Sequence, residues 1–180
     1  MLRTTLFSLL ILSLFSPILL LAMEERPLPR ASSLQADITN YKRMNERLAT
    51  SGTPEEGAIT ELAEKGIQMF IDLRINPDDT ARTEAKAAGA HYYNIPVVGA
   101  KGISKEQLAK FTALYEQMEG KILLHCVSGN RVGGLWTAYQ LSKGVIPEIA
   151  ITQGRKAGMR SSLEEDVLEA YCPHCQADSY

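Results

Sequence analysis

The stretch Lys121–Arg131 reads KILLHCVSGNR and is followed by VGGLWTAYQLS. Its first five residues form a short apolar run that is typical of a strand buried on both faces of a parallel sheet. A turn from Cys126 to Arg131, which contains Gly129, then leads into Val132–Ser142, a segment of helical length. Open α/β sheets bind their ligands at the carboxyl ends of the strands. We therefore expect Cys126 to lie in a binding site.

The residue types in this turn favour binding of an oxyanion. Backbone N–H groups at a glycine-containing turn and helix start form an anion-binding cradle. We predict that Val127, Ser128, Gly129, Asn130 and Arg131 form this cradle. The planar guanidinium of Arg131 suits bidentate contact with a tetrahedral anion. The positive surroundings would favour the thiolate of Cys126, which is the nucleophilic form of cysteine.

Two neighbours of Cys126 have supporting roles in this interpretation. Ser128 could hydrogen-bond the sulfur or help it to leave a covalent intermediate, and we count it with the catalytic residues. His125 is expected to fix the turn by hydrogen bonding and not to act as a base. The alternative for the whole stretch is an inert buried cysteine beside an ordinary strand–turn–helix.

On both sides of this stretch, apolar runs and helical patterns alternate along the chain, which predicts an α/β fold with a central, mostly parallel sheet flanked by helices. Thr53 and Pro54 are predicted to open a helix that stops at Gly66, and Ser104 with Gln107 forms a capping box for a helix to about Glu119. The other predicted strands are 41–50 (weak, or a hairpin), 69–73 and 91–97, and the other predicted helices are 80–88, 148–156 and 162–171.

Length and composition limit the class of protein. The chain has 180 residues, 45% of them hydrophobic, and a formal net charge of −2. These values fit one packed domain and disfavour disorder. The near-neutral charge argues against a nucleic-acid partner, because proteins that bind the phosphate backbone usually carry a basic surplus.

The first residues predict export. Residues 1–22 combine a basic residue, Arg3, with a long apolar run and a small residue at the end, as in a secretory signal peptide. An uncleaved N-terminal anchor in the membrane is the alternative. We expect residues 23–37 to be a linker and residues 38–180 to form the domain, with a C-terminal helix and a CPHC tail. On either interpretation the domain would lie outside the cytoplasm, in the periplasm or secreted.

The loop HCVSGNR resembles the active-site loop of the cysteine-dependent phosphatases, which include the tyrosine and dual-specificity enzymes. Together with SGTP, FIDLR, YYNIPV and GLWTAYQL, it makes the chain similar to the bacterial beta-lactamase-hydrolase-like phosphatases from about Tyr41 to Met159. This resemblance implies a phosphatase-like α/β fold of the dual-specificity type and a cysteinyl-phosphate intermediate. It also implies a phosphorylated protein or small-molecule phosphoester as substrate, with no metal and no cofactor.

Loop length departs from the tyrosine phosphatase pattern. Four residues separate Cys126 from Arg131, where common tyrosine phosphatases have five. A loop of this size also resembles that of the rhodanese sulfurtransferases, whose cysteine carries a persulfide. The SGTP block and the long helix before the loop favour the phosphatase.

The general acid is the second departure. Dual-specificity enzymes place an aspartate just after the strand that corresponds to YYNIPV, where this chain has no carboxylate. The other candidates are Asp72, Asp78, Asp79 and Glu84. Asp72 could equally order the strand end together with Arg74. Without an acid, activity would be confined to good leaving groups, or the domain would only bind anions.

The motif Cys172-Pro173-His174-Cys175 lies near the C-terminus. In an exported protein, a short disulfide between Cys172 and Cys175 is the preferred interpretation. A metal or redox role, free thiols, and a bridge to Cys126 that would inactivate the enzyme are the alternatives.

Overall fold

The computed structural model describes residues 26–99 and 102–176, with only the backbone of Gln176. The predicted signal peptide or anchor lies outside these residues. Among the residues described, no helix has both the length and the apolar character needed to cross a membrane. The strands are β1 (Lys42–Arg43), β2 (Leu48–Ser51), β3 (Ile67–Asp72), β4 (His91–Asn94) and β5 (Lys121–His125). The helices are α1 (Ala58–Glu64), α2 (Thr80–Ala87), α3 (Lys105–Gln117), α4 (Asn130–Ser142), α5 (Pro147–Lys156) and α6 (Ser161–Tyr171).

The five strands form one sheet in the order β1-β2-β5-β3-β4. Strand β1 is antiparallel to β2, and the other pairings are parallel. The predicted fold class, a mostly parallel sheet flanked by helices, is confirmed. Strand β5 lies at the centre of the sheet, so its carboxyl end opens onto the site predicted above.

Alternation of side chains along the strands divides the core in two. Leu123 and Phe70 pack with α1 and α2 on one face, whereas Ile122 and Leu124 pack with the later helices on the other. His125 pairs with Ser51 on one side and with Asp72 on the other. These polar side chains therefore point to the α1/α2 face, and the buried side chain of Cys126 joins the opposite core.

Two predicted local features are wrong, and one is confirmed. Helix α1 begins at Ala58 after Gly57, which has a left-handed φ of 81°, and Thr53 does not cap it. Strand β4 ends at Asn94, although the N–H groups of Ile95 and Val97 still bond to the end of β3. The capping box of Ser104 and Gln107 is present at the start of α3.

The segment predicted to be a linker packs against the domain from Leu28 onward. Leu28 is only 2% exposed and belongs to the core beside α1. The hydroxyl of Tyr41 donates to the carbonyl of Pro29 at 3.0 Å, and the carboxylate of Glu61 accepts the N–H groups of Gln35 and Ala36. Buried apolar and polar contacts thus fix a stretch whose lack of periodicity suggested a linker.

Candidate active site

Cys126 lies between the end of β5 and the start of α4, and it is a free, buried thiol. Its Sγ accepts the N–H of Gly129 at 3.2 Å. Gly129 has a φ of 90°, which favours glycine. Among the residues that the structure describes, the N–H groups of Val127, Ser128, Asn130 and Arg131 have no hydrogen-bond partner. The turn therefore offers several donors around one thiol.

Arg131 is held in place by the ends of two strands. Its Nη1 donates to the carbonyl of Leu73 at 3.0 Å and to that of Val97 at 3.1 Å. Within residues 26–99 and 102–176, its Nε and Nη2 donate to no protein group, so they can bind a ligand. The guanidinium is thus oriented while part of its donor capacity stays free.

Thr53 and Asn40 also contact the turn. The Thr53 hydroxyl donates to the carbonyl of Cys126 at 3.1 Å, and its N–H donates to the carbonyl of Val127 at 3.1 Å. Asn40, in a left-handed conformation with a φ of 55°, donates from Nδ2 to the carbonyl of Ser128 at 3.1 Å. Sequence reasoning missed Asn40 and assigned Thr53 to a helix cap. The signal for Thr53 was its place two residues after β2, the strand that pairs with β5.

Asn130 and Gly129 join the turn to the C-terminal helices. Oδ1 of Asn130 accepts the N–H of Arg160 at 2.7 Å, so this side-chain oxygen binds the start of α6. A Cβ on Gly129 would lie 2.9 Å from the carbonyl oxygen of Ala157. The turn is therefore packed backbone against backbone with the α5–α6 connection.

The sulfur contact differs from the one expected of Ser128. The observed partner of Sγ is the Gly129 N–H. The Ser128 hydroxyl has no hydrogen-bond partner in the described part of the chain, and its side chain is half-buried. A role for this hydroxyl in releasing a covalent intermediate stays a prediction.

We predicted that His125 fixes the turn by hydrogen bonding, but its ring does not do so. Both ring nitrogens are buried and have no hydrogen-bond partner within the described chain, and Nε2 lies 3.9 Å from Oδ2 of Asp72. Burial lowers the pKa of His125 to about 4, although the Asp72 charge opposes this. The ring is therefore neutral at pH 7, and the contact of His125 with the end of β3 is made by its backbone, whose carbonyl accepts the Leu73 N–H.

Asp72 is fully buried and engaged by two neighbours. Arg74 donates to it from Nε at 2.9 Å and Nη2 at 2.8 Å, and the Tyr92 hydroxyl donates at 2.7 Å. Burial by itself raises the pKa of Asp72, but the Arg74 hydrogen bonds and the other contacts outweigh it and bring the pKa below its usual value. These contacts keep the carboxylate charged, which is unfavourable for a general acid.

The remaining candidate acids are also bound elsewhere. Asp78 accepts from Arg74 and from the N–H of Thr80. Glu84 accepts the N–H of Gly57 at the start of α1, and Asp79 lies 3.7 Å from Arg82. In the described part of the chain, none of these carboxylates hydrogen-bonds Cys126 or Arg131.

Cys172 and Cys175 are joined by a disulfide, with 5.4 Å between their Cα atoms. Nε2 of His174 lies 3.3 Å from Sγ of Cys172. These three residues place their ligand atoms within 4.8 Å of one another, which makes them the candidate metal ligands among the described residues. Because both sulfurs are joined in the disulfide, neither is available as a thiolate ligand for a metal. A bridge to Cys126, one of the alternatives above, is not formed.

The model of one family, "Beta-lactamase hydrolase-like protein, phosphatase-like domain", matches residues 40–143, which include the whole turn from Cys126 to Arg131. The chain belongs to this family. A beta-lactamase hydrolase-like protein from Xylella fastidiosa is 31% identical over 108 residues, which are 56% of this chain and 25% of that protein. The phosphatase-like domain therefore spans about a quarter of the length of that curated relative.

Solved structures agree on the fold of this phosphatase-like domain. Tk-PTP in its active form has a TM-score of 0.63 at 21% identity, covering 73% of this chain and 95% of that one. The core catalytic domain of the PP-IP phosphatase Siw14 from S. cerevisiae has a TM-score of 0.61 at 19% identity, covering 74% of this chain and 85% of that one. At these identities the likeness shows the fold alone, that of the protein tyrosine phosphatases.

Proposed function

We propose that this phosphatase-like domain is a cysteine-dependent phosphatase. Sγ of Cys126 attacks phosphorus, a sulfur–phosphorus bond forms, and the bond from phosphorus to the ester oxygen breaks. The leaving alcohol takes up a proton. Water then cleaves the cysteinyl phosphate and releases inorganic phosphate, which restores the thiolate. The observation that carries the proposal is a buried free thiol that accepts the Gly129 N–H, in a turn whose other N–H groups have no partner among the described residues and which ends at an oriented arginine.

The N–H groups of the turn and the Arg131 guanidinium can stabilise a transition state that bears negative charge on the oxygens around phosphorus. Donors fixed before the substrate arrives need no reorganisation during the reaction, so they act more strongly than mobile donors. The two carbonyls that hold Arg131 supply this fixation for the guanidinium, and the start of α4 supplies it for the backbone amides. We retain the expectation that the reaction proceeds without a metal.

Proton supply determines which esters are cleaved. Asp72, Asp78, Asp79 and Glu84 are engaged away from Cys126, and we assign none of them as general acid. We propose that Asp72 is a positioning residue for Arg74 and the end of β3. Water then protonates the leaving group, and turnover depends strongly on the acidity of the leaving alcohol.

An apolar rim favours substrates of the tyrosine or dual-specificity type. We define this rim as Ile75, Val98 and Val127, which are 50%, 40% and 58% exposed. Ile75 and Val98 closely follow the two residues whose carbonyls bind Arg131, and Val127 belongs to the turn. Exposed apolar groups beside a few polar groups are typical of a ligand site. An aryl phosphate, free or as phosphotyrosine in a protein, places an apolar ring against this rim and has a good leaving group.

The test compares para-nitrophenyl phosphate turnover by the wild type, Cys126→Ser and Arg131→Lys. Arg82→Lys, an exposed arginine on α2, is the matched control. We expect Cys126→Ser to be inactive, Arg131→Lys to be severely impaired and the control to be normal. Equal activity of wild type and Cys126→Ser would refute the proposal.

Mass spectrometry of Cys126 identifies the chemistry. A phosphate adduct after brief exposure to the aryl phosphate supports the phosphatase. A persulfide after exposure to thiosulfate, without ester turnover, assigns the sulfurtransferase that the four-residue spacer also suggests. Phosphate binding without either adduct assigns a non-catalytic anion-binding module.

We further propose that the domain is exported, on the strength of the apolar segment in residues 1–22. Fractionation of cells that express the full chain, followed by mass measurement of the product, tests this. A cytoplasmic product of full mass contradicts it, and the mass of an exported product distinguishes cleavage from anchoring.

A further inference from the structure

Three successive carbonyl groups of the turn are each hydrogen-bonded by residues outside it. The carbonyl of Cys126 accepts the Thr53 hydroxyl, and that of Val127 accepts the Thr53 N–H, both at 3.1 Å. The carbonyl of Ser128 accepts Nδ2 of Asn40, also at 3.1 Å. Two residues from distant parts of the sequence thus bind three consecutive peptide groups.

These bonds determine the direction of the N–H groups. In a planar trans peptide the carbonyl of one residue and the N–H of the next point in opposite directions, and the described chain has no cis peptide. The three carbonyls point toward Thr53 and Asn40, so the N–H groups of Val127, Ser128 and Gly129 point away from them. The Gly129 N–H meets Sγ of Cys126 at 3.2 Å, as this geometry requires.

We infer that Thr53 and Asn40 are positioning residues that orient the peptide N–H groups of the anion-binding turn. Loss of either contact frees a peptide group to rotate, which removes an N–H donor from the site and can turn a carbonyl oxygen toward the anion. The inference rests on the proposed function for its catalytic consequence, although the orientation itself concerns the thiol and any bound oxyanion.

The surroundings of Asn40 and Thr53 keep these donors in place. The carbonyl of Thr39 accepts the N–H of Gly52 at 2.7 Å, which ties the Asn40 segment to the end of β2. Asn40 has the left-handed φ of 55° that asparagine tolerates better than most residues. Both donors therefore come from backbone that is itself anchored beside β5.

The experiment removes each donor with little change of shape. Thr53→Val deletes the hydroxyl, and Asn40→Gly deletes the amide while tolerating the left-handed backbone. Thr53→Ser keeps the hydroxyl and is the conservative variant. Thr60→Val is the matched control, because Thr60 lies on α1 away from the turn.

Two measurements distinguish a loss of N–H orientation in the turn from a general loss of folding. The first is the affinity of the Cys126→Ser background for inorganic phosphate by calorimetry. The second is the pH profile of Cys126 alkylation by iodoacetamide, measured with Cys126 intact. We expect Thr53→Val and Asn40→Gly each to weaken phosphate binding about tenfold, the size of effect expected for a lost hydrogen bond to a charged group. The alkylation midpoint should move to higher pH in both, with Thr53→Ser and Thr60→Val near the wild type.

Each outcome has a definite meaning. Wild-type phosphate affinity and alkylation profiles in folded Thr53→Val and Asn40→Gly would overturn the inference, as would failure of Thr53→Ser to behave like the wild type. If a variant loses its circular dichroism spectrum, the remaining variant and Thr53→Ser decide. If the wild-type domain hydrolyses no ester, the proposed function fails, but a shifted alkylation midpoint still supports the orientation of the peptide groups.

Discussion

Nε2 of His125 lies 3.9 Å from Oδ2 of Asp72, and both side chains are withdrawn from solvent. Burial keeps the imidazole neutral, with its pKa lowered to about 4, while the neighbouring carboxylate stays charged. In the unfolded chain the same histidine titrates near 6.5. The folded state therefore binds fewer protons than the unfolded state between these two values, and folding stability depends on pH in that window.

We expect the free energy of unfolding to reach its full value above pH 6.5 and to fall as the pH is lowered toward 4. The loss across the window is on the order of 3 kcal/mol for a shift of this size. Urea denaturation at fixed ionic strength from pH 4.5 to 8 measures it. We expect His125→Leu to flatten the profile and His91→Leu, at an exposed histidine, to leave it unchanged. Identical profiles for wild type and His125→Leu would contradict the assignment.

Asp72→Asn should affect stability more than chemistry. It leaves the Arg74 guanidinium, with a side chain only 13% exposed, without its main carboxylate partner. Breaking a buried ion pair costs about 3 kcal/mol or more. We expect lower urea stability with the shape of the pH–rate profile preserved. Selective loss of the alkaline limb, with a fall in kcat of about 10²-fold or more, would instead make Asp72 the general acid.

Gly52→Ala should disable the turn by steric pressure alone. Its Cβ would lie 2.7 Å from the carbonyl oxygen of Val127, the same oxygen that accepts the Thr53 N–H. Gly99→Ala is the matched control, because its Cβ would meet Arg131 Cδ at an ordinary 3.7 Å. We expect aryl phosphate turnover to fall at least about tenfold for Gly52→Ala, as for a lost donor to an oxyanion. The control should change little, and equal effects of the two variants would be inconsistent with this prediction.

We expect the apolar rim to bind ligands with an aromatic group more tightly than ligands with a small group. Ligands that are not hydrolysed show this preference without any effect of the leaving group. Phenylphosphonate and methylphosphonate carry the same anion and are not hydrolysed, so their inhibition constants compare binding alone. We expect phenylphosphonate to bind more tightly, and Val127→Ser or Ile75→Ser to reduce this preference several-fold, since burying a ring on apolar surface is favourable. Ile149→Ser, an exposed isoleucine on α5, should have no effect. A preference that survives in all variants would remove the rim from substrate recognition.

The number of cysteines that react with iodoacetamide should depend on whether the disulfide has been reduced. Without reductant, unfolded protein should react with one equivalent of iodoacetamide, at Cys126, and after reduction with three. Because the disulfide closes a very short loop, we expect its reduction to lower stability by only about 2 kcal/mol. Three reactive thiols in oxidised protein would show that the bond does not persist in solution.

Periodicity and turn residues predicted most of the fold. The buried run before Cys126 became β5, the glycine-containing turn and helix followed it, and the Ser104–Gln107 capping box is present. These features are local, because each depends on residues within a few positions of one another. Thr53 shows the limit of such reasoning. Its local pattern suited a helix cap, but the neighbouring turn competes for the same hydroxyl and N–H.

The parts of the site that sequence missed depend on contacts across the fold. Asn40 lies 88 positions from its partner Ser128, and no local pattern indicates that contact. His125 was expected to hydrogen-bond, but its strand register directs the ring into the α1/α2 core, where its nitrogens have no partner among the residues described. Register and burial, which arise only when the sheet is assembled, determine both outcomes.

The hydrogen bond from the Arg160 N–H to Asn130 has a spectroscopic consequence. Arg160 lies beyond residue 143, where the family match ends, yet its amide proton contacts a side chain of the anion-binding turn. The chemical shift and hydrogen exchange of this single amide should therefore report on occupancy of the turn. It offers an observer nucleus outside the catalytic loop, usable even in Cys126→Ser protein, where no turnover complicates the signal.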